Sequence, residues 1–418
     1  MLPLEAFDYR GKSVLLRLDI NSPIDPATKK IANENRIKKS VPTVRYLLDN
    51  GAKLSIIAHQ GDTLDYQNLI SMAEHAEKLS KHLGSKVNYI DDVCGPAAQA
   101  AVRSLEPGEA ILLGNLRYLA EEVTAFEKDV KLTAPEMLDT YLVRSLAPLH
   151  EIYVNDAFSA AHRNHPSMVA FQELLPTAGG RIMYDEYEAL SKVMRGPARP
   201  CVFVLGGAKI SDAFGMMNQV LEKKTADMIL TAGITGMIML MAQGIEVGAR
   251  FEKFLKDKDL LVFVEPARQL LHDFPGKILF PIDLACEVDG IKSIITTDQL
   301  PVAGALYPDI GPSTISAYEE ALRPAGTIFV NGPAGVYENP LYEDGTRSIW
   351  QAIADAPGYS VIGGGDTVSA AARFIDLSKI NYVCTAGGAM VNFLSGKKLA
   401  LIEAMEKAYE RDHAQYDR

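Results

Sequence analysis

The chain has 418 residues, of which 48% are hydrophobic and 23% are charged, a composition typical of a globular protein. It excludes the collagen-like, disordered and coiled-coil classes. Since domains commonly hold about 100 to 200 residues, this length predicts two or three domains. The formal net charge of −11 argues against a broad surface for nucleic acid or for an anionic membrane. Any polyanionic ligand would therefore be held by a few focused cations.

The cysteines are spread along the chain without a CxxC pair: Cys94, Cys201, Cys286 and Cys384. This spacing predicts neither a disulfide framework nor a structural zinc site, and it favours a reducing, cytoplasmic environment. The N-terminal sequence MLPLEAFDYRGKS has acidic residues where a signal peptide needs a basic and then an apolar region. The longest apolar stretch, Met228 to Ala242, is interrupted by glycine and threonine. It is short for a membrane span, so we predict a buried strand that runs into a buried helix.

Short runs rich in Val, Ile and Leu alternate along the chain with longer stretches of helical spacing. In the first half, the runs that predict strands are SVLLRL, KLSIIA, AILLG and EIYV. In the second half, they are CVFVL, DMILT, LVFV, KILF, TIFV, YSVI and NYVCT. Because these runs are uninterrupted, they suit parallel strands that are covered by helices on both faces. The sequence therefore predicts an α/β fold with two doubly wound parallel sheets.

One segment between the two halves has the features of an interdomain helix. Residues 179–200 show helical spacing between a glycine pair and a segment that contains proline. We predict that this hinge helix joins a first domain, residues 1–178, to a second domain, residues 201–397. Residues 398–418 resemble an amphipathic helix, which we expect to pack back on the first domain.

Ligands of open α/β sheets bind beyond the carboxyl ends of the strands, so the residues after each apolar run are site candidates. In the first half, with Arg36 added, they are Asp19, Asn21, His59, Gln60, Asn115, Arg117, Asn155, Asp156, His162 and Arg163. Guanidinium forks match carboxylates and phosphates, so this edge is predicted to bind a small, highly anionic molecule. The alternative is that these arginines are solvated or pair with local acids. His162 and His165 lack the carboxylate pattern of a zinc enzyme, which favours a structural role for both.

Glycine dominates the corresponding positions of the second half. The segments are Gly206 to Lys209, Ala232-Gly233, Asn331 to Pro333, Gly363 to Thr367 and Thr385 to Gly388. Glycine lets backbone N–H groups approach phosphate oxygens, and a helix N-terminus adds its dipole, so this edge suits a nucleotide. Asp366 has the oxygen donors that Mg²⁺ prefers, and the alternative for it is a helix N-cap. Neither GxxxxGK[ST] nor GxGxxG occurs, which removes the commonest ATPase and dehydrogenase motifs.

Several segments together resemble, in order and spacing, the signature segments of phosphoglycerate kinases. They are RLDINSP, NENRIKKSVPTVRYLL, NLRYLAEE, YVNDAFSAAHRNHPSMV, VLGGAKISDAF, NGPAGVYENP, VIGGGDTVSAA and TAGGAM. The match spans Arg17 to about Met390, and AHQGDT is most similar to the archaeal branch of the family. The resemblance implies two Rossmann-like domains joined by a helical hinge. It also implies that 3-phosphoglycerate binds to the first domain and Mg-ATP or Mg-ADP to the second.

The resemblance implies a role for each residue that matches a family motif. Residues at acid-substrate positions are Asp19, Asn21, Arg36, His59, Arg117 and Arg163. Residues at nucleotide positions are Gly206, Gly207, Lys209, Asn331, Glu338, Gly364, Gly365, Asp366 and Thr367. Among these, the resemblance makes Arg36 and Lys209 the catalytic candidates and Asp366 the Mg²⁺ ligand.

The chain departs from the common family pattern at three positions. Asp62, in AHQGDT, stands where SHLGRP has arginine, and an acid near a phosphate should repel it. Ala213 replaces the second lysine of GGAKxxDK, and Ala386 replaces a glycine of TGGGA. Asp62 bears on the identity of the substrate, whereas the two alanines bear on affinity or rate.

The implied activity is reversible, Mg²⁺-dependent phosphoryl transfer between 1,3-bisphosphoglycerate and ADP, which gives 3-phosphoglycerate and ATP. Two alternatives stay open at this point. One is a kinase of the same family that acts on a different carboxylic acid, and the other is a nucleotide-binding or scaffold protein without catalysis. The expected partners are small-molecule substrates, with neither nucleic acid nor a membrane, and both a monomer and a homodimer remain open.

Overall fold

The computed structural model describes residues 1–416, which form two compact units. The first unit holds Met1–Tyr187 together with the C-terminal segment from Lys398, and the second holds Glu188–Lys397. The boundary between the units falls inside a helix, Arg181–Met194. Among residues 1–416, no helix combines the length and the apolar character that crossing a membrane requires.

The first unit is built on a parallel sheet, which has six strands within residues 1–416 in the order β3-β4-β2-β1-β5-β6. The strands are β1 Ser13–Leu18, β2 Lys53–Ile57, β3 Val87–Tyr89, β4 Ala110–Leu112, β5 Ile152–Asp156 and β6 Thr177–Gly179. The helices are α1 Asn35–Asp49, α2 Ala73–Leu83, α3 Pro96–Arg103, α4 Thr124–Asp129, α5 Tyr141–Leu146 and α6 Pro166–Val169. Helix α7, Arg181–Met194, begins in this unit and ends in the second. The C-terminal helix, Ala400–Tyr416, also contacts this unit at α6 and β6.

The second unit contains a parallel sheet, which has six strands within residues 1–416 in the order β15-β14-β13-β7-β8-β9. Its strands are β7 Cys201–Leu205, β8 Met228–Thr231, β9 Ile278–Leu279, β13 Thr327–Asn331, β14 Tyr359–Ile362 and β15 Tyr382–Val383. A smaller antiparallel sheet consists of β10 Asp283–Val288, β11 Ile291–Thr296 and β12 Leu306–Ile310. The helices are α8 Ile210–Glu222, α9 Gly233–Ala242, α10 Ala249–Lys256, α11 Val264–Asp273, α12 Pro312–Leu322, α13 Asp344–Asp355, α14 Gly365–Phe374 and α15 Gly387–Leu394.

Uninterrupted apolar runs became buried parallel strands because each sheet is covered on both faces. In β1, every residue after Ser13 is buried, and Val14 and Leu16 join the core of the first unit. In the second unit, β7 is buried along its whole length. The stretch from Met228 to Ala242 forms β8 and then α9, as predicted. The prediction of an α/β fold with two doubly wound parallel sheets is therefore confirmed.

The prediction of a strand over LVFV is wrong. Leu261–Phe263 is a turn of 3₁₀ helix that leads directly into α11. Four apolar residues in a row do not distinguish a strand from a turn of helix, and Val262 is 67% exposed. The sequence interpretation also missed the antiparallel sheet, because β11 is mostly exposed and lacks a buried apolar run.

Candidate active site

One group of the predicted acid-binding residues lies beyond the carboxyl ends of β1 and β2. Arg36, in the first turn of α1, donates from Nη1 to the Asp19 carboxylate at 2.6 Å. The Asp19 side chain is 7% exposed and that of Arg36 is 45% exposed, so the guanidinium remains open to a ligand. The backbone N–H of Asn21 donates to Asp19, and the Asn21 side-chain oxygen accepts from the N–H of Gly61 at 3.2 Å. These contacts bring Asp19, Asn21 and Arg36 together.

Arg117 is held rigidly in the same region. Its Nε donates to the carbonyl oxygen of Gly61 at 3.2 Å, and its Nη1 donates to the carbonyl oxygen of Glu122. Nη1 also lies 3.3 Å from Nδ1 of His165. Nε lies 3.5 Å from the carboxylate of Asp62. Arg117 is 5% exposed, and neighbours on several sides fix the orientation of its guanidinium group.

A shared carboxylate connects His165 with Arg163. Glu127, in α4, lies 3.3 Å from His165 Nε2 and accepts a hydrogen bond from Arg163 Nη1, also at 3.3 Å. It further accepts from the backbone N–H of Asn164 at 2.7 Å. Partial burial alone would raise the pKa of Glu127, but His165, Asn164 and Arg163 outweigh it and lower the pKa to about 2. Glu127 is therefore ionised at neutral pH and holds Arg163 in the same network as Arg117.

His59 completes the set, and a residue that the sequence interpretation missed determines its tautomer. Arg17 is 1% exposed and donates from Nη2 to Nδ1 of His59 at 3.0 Å and from Nε to Ser167 at 3.2 Å. A guanidinium has only donors, so Nδ1 of His59 must accept and the ring proton must reside on Nε2. Burial, followed by the charges of Arg17 and Arg117, lowers the pKa of His59 well below 6.5. His59 is therefore a neutral ring that carries one N–H donor.

The position of Arg17 inside the apolar run SVLLRL is the sequence signal that could have marked it as a residue of this network. Arginine is almost never fully buried unless it has a partner. A buried arginine in β1 therefore indicates that hydrogen-bond acceptors lie near the C-terminal end of this strand.

Other polar residues of this edge brace the loops. Gln60 donates its N–H to the Asn115 side chain at 3.1 Å, and Asn115 donates to the carbonyl oxygen of Gln60 at 2.8 Å. The Gln60 side-chain oxygen also accepts from the N–H of Ser22 at 2.8 Å. The loops after β1, β2 and β4 are thereby locked together. His162 is exposed.

Asn155 and Asp156 do not face the ligand edge, contrary to their predicted place in the donor-rich set. Both are buried. The Asp156 carboxylate accepts from the Thr43 hydroxyl at 2.6 Å and from the N–H of Met183 at 3.0 Å, so it caps the N-terminus of α7. Burial raises the pKa of Asp156 to about 7. The Asn155 side chain donates to the hydroxyl of Tyr153.

The second unit contains a cavity of about 370 Å³ at the carboxyl ends of its strands. Each residue that was predicted at a nucleotide position lines it, and these residues are Gly206, Gly207, Lys209, Asn331, Glu338, Gly364, Gly365, Asp366 and Thr367. A volume of this size is in the range of small-molecule pockets. Four of the five predicted glycine-rich segments therefore converge on one site, whereas Thr385 to Gly388 is not among the lining residues.

Close backbone contact explains why glycine stands at two of these positions. Gly206 donates its N–H to the carbonyl oxygen of Asn331 at 2.9 Å, and a Cβ at position 206 would lie 2.2 Å from the carbonyl oxygen of Pro333. Gly332 has φ +94°, and a Cβ there would lie 2.2 Å from the carbonyl oxygen of Gly206. The loops after β7 and β13 thus touch backbone to backbone, which no larger residue permits.

Helix N-termini and one ion pair provide the charge of this cavity. Lys209 is the N-cap residue of α8, while α9 begins at Gly233 and α14 at Gly365. Their dipoles and N–H groups favour phosphate oxygens. Lys209 Nζ lies 3.9 Å from the Asp366 carboxylate, and the two side chains are 69% and 74% exposed. A cation and a carboxylate are therefore both accessible from the cavity.

Asn331 and Thr367 act within the protein as braces between loops. Asn331 Nδ2 donates to the carbonyl oxygen of Gly363 at 2.8 Å. The Thr367 hydroxyl accepts from the N–H of Gly332 at 2.8 Å, and Thr367 is 2% exposed. These bonds fix the loops after β13 and β14 against each other.

The sequence interpretation missed the apolar wall of the cavity. Phe251 and Phe254, from α10, line it together with Tyr307 and Tyr337. The ring centroids of Phe251 and Tyr307 are 5.3 Å apart. Apolar and aromatic walls suit a flat heterocycle, whereas the glycine wall suits phosphates. The spacing in ARFEKFLK marks α10 as amphipathic but does not indicate that its rings face a ligand site.

The two alanine departures are accommodated by the backbone. Ala213 is 1% exposed inside α8, where it packs in the core. Ala386 is the N-cap residue of α15 with φ −130°, a conformation that any residue adopts. Alanine at 386 is therefore compatible with the backbone of this loop.

The structure thus has an arginine-rich edge in one unit and a glycine-lined cavity in the other. Residues 4–397 match the family model described as phosphoglycerate kinase. The phosphoglycerate kinase of Methanococcus maripaludis is 41% identical over 417 residues, which cover 98% of this chain and 99% of that protein. That of Methanothermus fervidus is 40% identical over 408 residues, which cover 98% and 97%. The crystal structure of the phosphoglycerate kinase from Pyrococcus horikoshii OT3 matches with a TM-score of 0.82 at 36% identity, covering 98% of this chain and 100% of that one.

The chain belongs to the phosphoglycerate kinase family. It is thus a kinase of the kind that transfers a phosphoryl group to a carboxyl group. The resemblance deduced from the motifs is confirmed, and the two curated relatives named above belong to the archaeal branch. The alternative of a family kinase for another acid is not favoured by these matches.

We predict that Gly206→Ala weakens ADP binding. The added Cβ would force the loops after β7 and β13 apart, and overpacking of this kind typically costs about 1 to 3 kcal/mol, or about fivefold to a hundredfold in affinity. Titration calorimetry with ADP measures the effect. Gly388→Ala is the matched control, because a Cβ there meets nothing within 4 Å. Unchanged affinity in Gly206→Ala would contradict the close contact between these loops.

We also predict that His59 stays neutral, with its proton on Nε2, from pH 8 down to pH 6. Burial and the adjacent guanidinium groups disfavour a second proton on the ring. Nitrogen chemical shifts of the imidazole, measured by NMR across this range, report both the charge and the tautomer. A protonation midpoint near the ordinary value of 6.5 would show that the Arg17 contact does not control this ring.

Proposed function

We propose that the chain catalyses reversible phosphoryl transfer between 1,3-bisphosphoglycerate and ADP, which gives 3-phosphoglycerate and ATP. The observation that supports this most strongly is the pairing of two complementary half-sites in one chain. One is a cluster of arginines suited to a small anionic acid, and the other is a glycine-lined cavity of about 370 Å³ suited to a nucleotide. Membership in the phosphoglycerate kinase family supports the same reaction.

The first unit would bind the acid substrate. Arg36, Arg117 and Arg163 would contact its carboxylate and phosphate groups, since guanidinium forks bond such groups bidentately. Neutral His59 would donate from Nε2, and Asn21 and Asp19 would orient the hydroxyl and the guanidinium of Arg36. The support is that these side chains belong to one connected network at one edge of the sheet.

The second unit would bind ATP or ADP. The phosphates would lie on the glycine loops at the N-termini of α8, α9 and α14, and the base would lie against the aromatic wall. Asp366 fits a Mg²⁺ ligand, because that ion binds through one or two protein carboxylates together with substrate phosphates, and this carboxylate is largely exposed. When bound, Mg²⁺ would neutralise charge on the phosphate oxygens. Glu338 would lie near the ribose.

The transfer step needs no covalent enzyme intermediate. In the direction of ATP formation, a terminal oxygen of ADP attacks phosphorus, the bond from phosphorus to the acyl oxygen breaks, and the carboxylate of 3-phosphoglycerate leaves with the electron pair. Side chains form no covalent bonds to the substrates in such a step. Catalysis therefore comes from positioning the two substrates and neutralising the charge on the phosphate oxygens. Arg36 and Lys209 would flank the moving group and offset the charge on its equatorial oxygens.

We propose in addition that residues 179–200 form a hinge and that residues 1–178 and 201–397 act as the acid and nucleotide domains. The N-terminal part of α7 is tied to the first unit through the Asp156 cap at Met183. Its later part belongs to the second unit, where Lys192 Nζ lies 3.7 Å from the ring centroid of Tyr359. A helix anchored in this way at each end can transmit rotation as a rigid lever.

We further propose a cytoplasmic location. Cys94, Cys201 and Cys286 are free thiols, and these three and Cys384 are all buried, which suits a reducing compartment. Cell fractionation tests this, and recovery of the protein from an oxidising compartment would contradict it. A monomer and a homodimer both suit the reaction, and sedimentation distinguishes them.

The purified protein is expected to form 1,3-bisphosphoglycerate from 3-phosphoglycerate, ATP and Mg²⁺. A coupled assay measures this product. Lys209→Ala should reduce kcat by about 100- to 1,000-fold, because the lysine stabilises charge that spreads over the transferring group. The KM for ATP should change much less, since that stabilisation is made mainly in the transition state.

The matched control is Lys223→Ala, at the opposite end of α8, which should behave as wild type. Wild-type protein with no activity above Lys209→Ala would contradict the proposed reaction. Turnover of glycerate in preference to 3-phosphoglycerate would favour the alternative acid, and absence of turnover with any acid would favour a binding or scaffold protein.

The two domains are expected to close when both substrates bind. A phosphoryl group moves only when donor and acceptor oxygens are brought close and in line, and closure also excludes water that would hydrolyse the acyl phosphate. Small-angle scattering should show a smaller radius of gyration with 3-phosphoglycerate and a Mg-nucleotide together than with either alone. An unchanged radius at saturation would show that residues 179–200 are an ordinary linker in a rigid body.

A further inference from the structure

Asp62 lies next to the guanidinium group that is most deeply buried among the proposed acid-site arginines. Its carboxylate is 3.5 Å from Arg117 Nε and accepts a hydrogen bond from the Thr124 hydroxyl at 2.6 Å. Its other oxygen accepts from the N–H and the hydroxyl of Thr63 at 2.7 and 3.1 Å. The side chains of Asp62 and Arg117 are 18% and 4% exposed. Water therefore screens this pair less than it screens a fully exposed pair.

Arg117 does not need Asp62 to stay in place. The carbonyl oxygens of Gly61 and Glu122 accept from it, and His165 Nδ1 lies 3.3 Å from its Nη1. The carbonyl groups come from the loop after β2 and from the turn before α4, so they fix the guanidinium from two directions. Loss of the Asp62 charge would leave Arg117 in the same position with a larger net positive potential.

Asp62 is ionised under ordinary conditions. Partial burial by itself would raise the pKa of Asp62, but the hydrogen bond from Thr124 and the charge of Arg117 outweigh burial, and the pKa lies below its usual value. Its negative charge is thus present throughout the neutral range. It is also fixed in position, because two threonine hydroxyls and one backbone N–H hold the carboxylate.

We propose that Asp62 weakens the binding of the anionic acid substrate by offsetting the charge of Arg117. The Asp62 carboxylate reduces the positive potential that Arg117 presents to the substrate anion, but it does not prevent the anion from binding. This inference rests on the proposed acid-binding role of Arg117. The contact between Asp62 and Arg117 differs from the Asp19 and Glu127 contacts. The arginines of those two contacts, Arg36 and Arg163, are 45% and 32% exposed and can turn toward a ligand.

The consequence is a site tuned for release of the acid. Its affinity for 3-phosphoglycerate is lower than the arginines alone would provide, and the difference lies in the acid half-site only. Removal of the charge should therefore change the KM for the acid and leave the KM for the nucleotide unchanged.

The test compares wild type with Asp62→Asn and Asp62→Ser, two neutral variants that keep a hydrogen-bonding side chain beside Thr124. Each should lower the KM and the calorimetric Kd for 3-phosphoglycerate by about threefold to tenfold, the range expected for one partly screened charge pair. The KM for ATP and kcat should stay within twofold of wild type. Two variants are used because an asparagine amide could orient its NH₂ group toward Arg117.

Asp65→Asn is the matched control. Asp65 lies on the same loop and loses the same charge on substitution, but its carboxylate bonds Asn68. It should leave the Kd for 3-phosphoglycerate unchanged. An equal effect of Asp65→Asn would overturn the proposal, because the effect would then come from overall charge. Unchanged or weaker binding of 3-phosphoglycerate in both Asp62 variants would also overturn it.

The binding measurement separates this inference from the proposed reaction. Wild-type protein that binds 3-phosphoglycerate without turning it over would contradict the reaction, while the Kd values of the variants would still decide the role of Asp62. Wild-type protein that neither binds nor turns over 3-phosphoglycerate would overturn both.

Discussion

Several guanidinium groups gathered at one edge of a sheet repel one another, and the arginine-rich edge of the first unit is organised around that constraint. Carboxylates are set among the arginines: Asp19 contacts Arg36, Asp62 contacts Arg117 and Glu127 contacts Arg163. In a chain of net charge −11, these pairs let a positive cluster exist without destabilising the free protein. Binding of an anion then replaces or supplements carboxylates that are already present, so affinity is a difference between two sets of ion pairs.

The proposed nucleotide site of the second unit relies on backbone N–H groups rather than on a cluster of charged side chains. Its cavity has an accessible ion pair in Lys209 and Asp366, and helix N-termini add backbone N–H donors. Such donors are available only where the chain approaches closely, and the contact between Gly206 and Pro333 shows how tightly the loops meet. Parallel sheets make this possible because each loop after a strand emerges at the same edge. The aromatic wall of α10 then adds an apolar surface without further charge.

Much of the fold could be predicted from uninterrupted apolar runs, since strands covered on both faces leave that pattern. Candidate site residues that closely follow such runs, such as Arg117 and Lys209, were selected for the same reason. What the sequence does not reveal is partnership: Glu127 comes from a short helix without a buried face, and nothing local indicates that it meets Arg163. The antiparallel sheet was missed because exposed strands such as β11 have no apolar run, and LVFV shows that a short run alone does not decide between strand and helix.

The carboxylates beside the arginines of this edge are proposed to set the affinity for the acid, and a crystal structure of the protein with 3-phosphoglycerate tests this most directly. Phosphate or carboxylate oxygens of the acid should lie within hydrogen-bond distance of Arg36, Arg117 and Arg163, with Arg117 still bonded to the carbonyl oxygens of Gly61 and Glu122. The Asp62 carboxylate should remain beside Arg117 in the complex. An acid bound away from these guanidinium groups, or a complex in which Arg117 has left Gly61 and Glu122, would contradict the account.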